Sequence, residues 1–396
     1  MFVGESLRNL RVMFGFSRKH LSDLVGVSEQ SIWQYENGVS SPKLETINEL
    51  KNIFHVKSKY FYKADILSKQ SEQKVEPHSI AYRSEEINSV SKTQSESLHC
   101  EFLNEFVEFI TSKVSLPMGQ IGHLRSYAQN MMKDLDIGNR VDAINEIAQY
   151  TREVLSIPDT SNKNLIFYIE KSGVYVFEKS IGEKIDAYSF WTKTDIPYIV
   201  LGNLKKSAVR RNFDLAHELG HLILHHNAYF TELDKKTYSD IEKEADLFAG
   251  AFLLPVKEFT NDFNFLIRKS NPDSYIELKT KWLVSIQAMA IRAKRLGLLT
   301  QEQYSYFWRS ITKKGYKKSE PLDYEIPIFK PSKIESILKL LLENKVITLN
   351  ELTEAKYSVD IEYLHLLTGI SREFFAKYKR NEETVSLDFQ KIVRLK

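Results

Sequence analysis

The chain has 396 residues, 42% hydrophobic and 27% charged, and so reads as ordinary globular material divided into two or three domains. Its net charge of +3 is too small to imply a nucleic-acid partner by itself, and its single cysteine, Cys100, excludes both an intrachain disulfide framework and a multi-cysteine zinc site. No apolar run approaches the roughly 20 residues of a membrane span, and the arginine-bearing start is not expected to act as a signal peptide, so a reducing, cytoplasmic setting with no membrane partner is expected.

Residues 1–62 predict a run of short helices. Leu7, Leu10, Val12 and Met13 mark the first. Ser17 caps a second over residues 18–25, and Ser28 caps a third over residues 29–36 that Asn37-Gly38 ends. Pro42 opens a fourth, with Leu44, Ile47, Leu50 and Phe54 on one side. The middle pair, joined by a tight glycine-bearing turn, has the form of a helix-turn-helix, with Leu21, Leu24, Val25, Val27 and Ile32 as its small core. The exposed start of its second helix holds Ser28, Glu29, Gln30, Ser31 and Gln34, which can reach base edges in a major groove. Arg18, Lys19 and Lys43 can hold phosphates.

The stretch SRKHLSDLVGVSEQSIWQYENGVSSPKLETINELKNIF resembles the Cro-like, phage-repressor-type (XRE) helix-turn-helix family over about 55 residues. By that resemblance Glu29, Gln30, Trp33 and Gln34 fall at base-contacting positions, Arg18 falls at a phosphate contact, and Glu36 pairs internally with Arg11. A double-stranded DNA operator and a homodimer on two half-sites are implied.

Residues 63–95, rich in Ser, Gln, Glu and Lys, read as a linker. Helical periodicity returns over residues 96–156, through Phe102, Phe106, Phe109, Ile110, Ala143, Ile144, Ile147 and Ala148. GVYVFEK, IDAYSFW and PYIVLG then predict strands of a small sheet. A long helix is expected over residues 211–228 and another over residues 240–253, stopping at Pro255.

The first of these helices carries His217-Glu218-Leu219-Gly220-His221. Two histidines four apart share one helical face and can present nitrogen to one ion, and Glu218 between them can take the proton of a water activated there. In the second helix Glu242 and Asp246 are also four apart. Glu242 can complete the ligand set, and Asp246 can hydrogen-bond His217 or His221. Glu244 is expected to point elsewhere, His225 to pack or make a polar contact on the same face, and His226 to point away. Arg210 and Arg211 can hold a substrate carboxylate or lie in solvent.

RRNFDLAHELGHLILHH followed by EKEADLFAGAFLLP resembles the ImmA/IrrE metallopeptidases, from about residue 160 to Pro255. The resemblance implies one Zn2+ per chain on His217, His221 and Glu242, with Glu218 as catalytic base. It also implies a repressor-like protein substrate whose cleavage relieves repression. Beyond Pro255, residues 256–318 hold thirteen Lys/Arg against five Asp/Glu. Residues 281–311 predict a further helix-turn-helix-like pair, with Ser285 as cap, that supports the zinc domain or contacts DNA.

The expected fold class is mainly α and multidomain. An all-α helix-turn-helix (residues 1–62) and linker (63–95) precede a central α+β zincin-like domain with a small sheet (96–255). A basic extension (256–321) and a C-terminal helical bundle (322–396) follow. The expected function is a DNA-binding regulatory zinc endopeptidase that cleaves a repressor-like partner or itself. The alternative is a repressor or antitoxin-like regulator whose zinc domain senses or scaffolds.

Overall fold

The computed structural model describes residues 1–63, 75, 80–82, 90–133, 135, 137–181, 186–203, 207–226, 228 and 233–379. Most of the expected linker, and residues 380–396 of the expected C-terminal bundle, lie outside them. The chain divides into two compact units, and both are discontinuous in sequence.

The first unit comprises Met1–Pro77, Glu86–Leu116 and Ile334–Lys396. It opens with α1 (Gly4–Met13), α2 (Arg18–Val25), α3 (Glu29–Glu36) and α4 (Leu44–Phe54). Local chemistry sets the boundaries. The Ser17 side chain accepts from the His20 amide at 3.0 Å, and Ser28 accepts from Ser31 at 3.1 Å. Between them Gly26 takes φ 73°, a left-handed value that suits glycine at the turn. Leu21, Ile32, Ile47, Leu50 and Phe54 are buried, but Leu24 is 47% and Leu44 71% exposed, so the core is narrower than the apolar pattern suggests. Of α2, only Leu21 and Ser22 are buried.

Helix α5 (Val90–Thr111) begins inside the stretch read as linker. It belongs to this first unit rather than to the zinc domain expected from residue 96. The reason is its apolar face. Phe102, Leu103, Phe106, Val107 and Ile110 are buried, and the helix packs on α1 and on a C-terminal helix, Ile361–Thr368. Backbone pairing adds to this closure: Lys57 N donates to Ser358 O at 2.7 Å, and Asp360 N to His55 O at 3.0 Å. The C-terminal helices are therefore part of the unit that holds the helix-turn-helix.

The second unit comprises His78–Glu85 and Pro117–Lys333. Helices α6 (Ile121–Met132), α7 (Ile137–Leu155) and α8 (Leu165–Lys171) precede the main strands. The sheet has the order β1 (Ala81–Tyr82), β3 (Ala187–Trp191), β4 (Pro197–Gly202), β2 (Tyr175–Lys179). Strands β2 and β4 run parallel, and β3 is antiparallel to both β4 and β1. All residues of β3 and β4 are buried, as expected for short aromatic and β-branched runs covered on both faces.

Helix α9 (Ala208–Leu224) packs on β3 and β4 with one side and on α10 (Lys235–Leu253) with another. Leu215, Leu219, Leu222, Phe248 and Phe252 are fully or almost fully buried there. Each such side chain contributes about 1.5–3 kcal/mol of burial. Gly220 sets the separation of the two helices: a Cβ on it would meet Phe248 Cδ1 at 3.0 Å.

Helices α11 (Val256–Asn264), α12 (Ile276–Trp282), α13 (Ile286–Arg295) and α14 (Gln301–Lys313) complete the unit. Between α12 and α13 Leu283 is left-handed, and Ser285 caps α13 as expected. Part of its basic character is used internally. Fully buried Lys279 reaches Glu320 at 3.0 Å and Asp323 at 2.6 Å, and Glu320 accepts the first amides of α13, Ile286 N at 2.8 Å and Gln287 N at 3.1 Å. At the end of the unit, buried Glu170 accepts the Ser332 and Lys333 amides, each at 3.1 Å, and Lys333 Nζ stands 4.0 Å from the Tyr175 ring centroid.

Candidate metal centre and nucleic-acid interface

The long apolar helix α9 carries its two histidines one turn apart, and α10 lies against that face with Glu242 in its second turn. His217, His221 and Glu242 converge, each offering a ligand atom within 4.8 Å of the others. His217 Nε2 and His221 Nε2 are 3.0 Å apart. Glu242 lies 3.4 Å from the first and 3.2 Å from the second. A tetrahedral zinc ion with bonds of about 2.0–2.1 Å spaces its ligand atoms by about 3.3 Å, so the three donors fit such an ion.

Protonation agrees with that fit. His217 Nδ1 lies 2.9 Å from Asp246 Oδ1. With an Nδ1–H donated to that carboxylate, Nε2 would be the atom that gives its lone pair to an ion. Burial pulls the His221 imidazole down to about 3, so it is neutral at physiological pH. For Glu242 burial pushes the carboxyl up, but hydrogen bonds from His217 and His221 outweigh it and hold the group well below the ordinary carboxylate range. The donor set is two imidazoles and a carboxylate, the chemistry a divalent cation takes.

Glu218, 1% exposed, sits between the histidines in sequence and accepts a 2.7 Å hydrogen bond from Ser189 Oγ on β3. The sheet therefore orients this carboxylate. No local pattern in the sequence singles out Ser189, because the contact joins a strand to a helix 29 residues away.

A second relay leads outward from His221. Its Nδ1 is 3.1 Å from His225 Nδ1, and His225 Nε2 is 3.1 Å from Glu244 Oε2. Arg140 of α7 grips Glu244 through two hydrogen bonds of 2.6 and 2.9 Å. Burial pushes the Glu244 carboxyl up, but His225 and Arg140 together bring it down to about 2. Glu244 does point away from the three-donor cluster, as its helical position suggests, yet it supports the cluster through His225. Arg211 is taken by Glu178, and Arg210 donates to Lys318 O at 2.6 Å.

In the first unit Glu29, Gln30, Trp33 and Lys43 are exposed on and beside α3, and Gln34 is half-buried. Ser28 and Ser31 bond one another at the cap, their hydroxyls 2.8 Å apart. Buried Glu36 pairs with Arg11, as expected, and also accepts from Arg18 Nε at 2.7 Å. Arg18 is thus tied to the α3 carboxylate, with its side chain still 35% exposed. This ties α3 to the two helices before it. No helix among the described residues is long and apolar enough to cross a membrane.

Comparison with known proteins agrees with both resemblances. Residues 169–294 match the family model of the IrrE N-terminal-like domain, a peptidase family, and residues 7–61 match a helix-turn-helix family model. The SPbeta prophage-derived HTH-type transcriptional regulator YonR of Bacillus subtilis (strain 168) is 33% identical over 60 residues, which is 15% of this chain and 56% of that protein. The alignment thus spans little more than half of that relative. The chain thus carries a helix-turn-helix module of the XRE type and, further on, a domain of the ImmA/IrrE peptidase kind.

Proposed function

We propose that this chain is a DNA-binding regulatory endopeptidase that uses one zinc ion. The observation that supports it most is the convergence of His217, His221 and Glu242, with Glu218 fixed beside them by Ser189. His217, His221 and Glu242 would hold the ion. When bound, zinc polarises a peptide carbonyl and makes water acidic enough to lose a proton near neutral pH. Glu218 takes that proton and returns it to the departing amine nitrogen. Asp246 and His225 hold the two imidazoles in the required orientation. Gln30, Trp33, Gln34 and Glu29 read an operator, Ser28 and Ser31 shape the start of the reading helix, and Arg18 and Lys43 meet its phosphates. The binding form is a homodimer on two half-sites.

The substrate is a repressor-like protein or the chain itself, and one observation favours the second. Ala81–Tyr82 pairs antiparallel with β3, and Ala81 is the register partner of Ser189, the residue that bonds Glu218. An extended peptide added along this edge would lie in the same place. Hydrolysis there would cut the covalent link from the helix-turn-helix to the peptidase domain, leaving the fragments held by the packing of α1 on α5 and the pairing of residues 55–57 with 358–360. The test is intact-mass and fragment mapping of the full chain incubated with zinc and DNA, beside Glu218→Gln. Fragments in the wild type that the variant lacks support the proposal. An intact chain, inactive also on candidate repressors and with gene regulation unchanged in Glu218→Gln, would favour a regulator whose zinc domain senses.

A further inference from the structure

A cavity of about 390 Å3 opens in the second unit beside Asp246. That volume suits a small organic ligand. Four cationic side chains line it: Arg210, Arg292, Arg295 and Lys317. Asp186, Asp214 and Asp246 line it too, and Phe213 and Ile291 give it an apolar wall.

Arg292 is the informative residue. It is only 3% exposed. Its Nε donates to Leu254 O at 3.2 Å and its Nη1 to Asn145 Oδ1 at 2.8 Å, both neutral acceptors. Its Nη2 is buried and meets no acceptor among the described residues. A buried guanidinium is costly unless an anion pairs with it. The charged neighbour that weighs on it is Arg295, another cation, and burial with that repulsion brings Arg292 down to about 10. None of the wall's polar groups bonds Arg292 Nη2. Asp246 is bonded to His217, and Arg210 to Lys318 O. Gln287 and Ala288 of α13 also line the cavity, and their amides are already capped by Glu320 and Ser285.

We infer that this cavity binds a small molecule bearing an oxyanion, phosphate or carboxylate, on Arg292 and Arg295. The guanidinium fork matches either group in geometry, and Arg295 and Lys317 at the rim draw the anion in. None of His217, His221 and Glu242 lines the cavity, although Asp246, which bonds His217, does, and occupancy of the cavity requires no zinc and no cleavage.

Calorimetric titration of the full chain, free of DNA and at about 0.15 M ionic strength to screen exposed charge, tests the inference. The probes are inorganic phosphate, adenosine monophosphate and citrate. Saturable binding of a phosphate probe alone identifies a phosphate ligand, and of citrate alone a carboxylate ligand. Either is expected to weaken by about tenfold or more in Arg295→Gln, the loss of one charge-assisted contact. Arg292→Lys should weaken it further, but that change touches the interior, so the exposed Arg295→Gln decides. Failure of all three probes to saturate, or wild-type binding in Arg295→Gln, would overturn the inference.

Discussion

Ser189 Oγ donates a 2.7 Å hydrogen bond to Glu218 Oε2, joining the strand β3 to the one carboxylate that stands between the two helix histidines. A carboxylate so held keeps one oxygen occupied and the other directed. Ser189→Ala is expected to lower the peptidase rate by about 10–100-fold, the usual cost of removing an orienting partner. Zinc content should stay unchanged, since Ser189 touches none of the three donors. Rate and metal content measured on the same preparation check this, and a parallel loss of zinc would contradict it.

The His221–His225–Glu244–Arg140 relay makes a different prediction. Glu244→Gln removes the charge that fixes His225 and leaves all three donors in place. Zinc affinity, read by competition with a chromophoric chelator, is expected to fall about 10–100-fold. An affinity equal to wild type would mean that His225 merely packs.

In the helix-turn-helix, Glu36 is buried against Arg11 and also bonds Arg18. Glu36→Gln strands the Arg11 charge in the interior. Loss of one partner of a buried pair costs about 3–5 kcal/mol, so the first unit should unfold at markedly lower denaturant. Operator affinity should fall with it. Gln30→Ala, exposed on α3, should instead weaken DNA binding with little effect on unfolding.

Lys333 gives a pH signature. Burial pulls its ammonium down to about 8, against the opposing pull of Glu170. Above that value the folded chain has released a proton that the unfolded chain keeps until about pH 10.4. Stability contributed by this group therefore rises with pH through the window, by up to about 1.4 kcal/mol per unit. Urea unfolding of wild type and Lys333→Met from pH 7 to 10 should show a difference that grows with pH in favour of the wild type. A constant difference would contradict the assignment.

Local features of the sequence foretell local structure here. Ser17, Ser28 and Ser285 cap the helices they precede. The three aromatic and β-branched runs are strands, and the two four-residue spacings bring His217, His221 and Glu242 together, with Asp246 behind His217. Long-range partnership is less legible. Periodicity marks Phe102 and Phe106 as buried, but not that α5 packs with α1 and the C-terminal helices rather than with the zinc domain. The same blindness leaves Leu24 and Leu44 in the expected core when they face outward. Ser189 and Arg140 act only through contacts that folding creates, so no spacing in the chain announces them.

The proposed peptidase function depends on one ion held by His217, His221 and Glu242. The most direct measurement is zinc per chain, by mass spectrometry of the purified wild type and of Glu242→Ala. About one zinc in the wild type and a clear loss in the variant are predicted. A wild type that holds no zinc after purification without chelator and reconstitution with the metal would contradict the peptidase reading and leave a DNA-binding regulator on a metal-free scaffold.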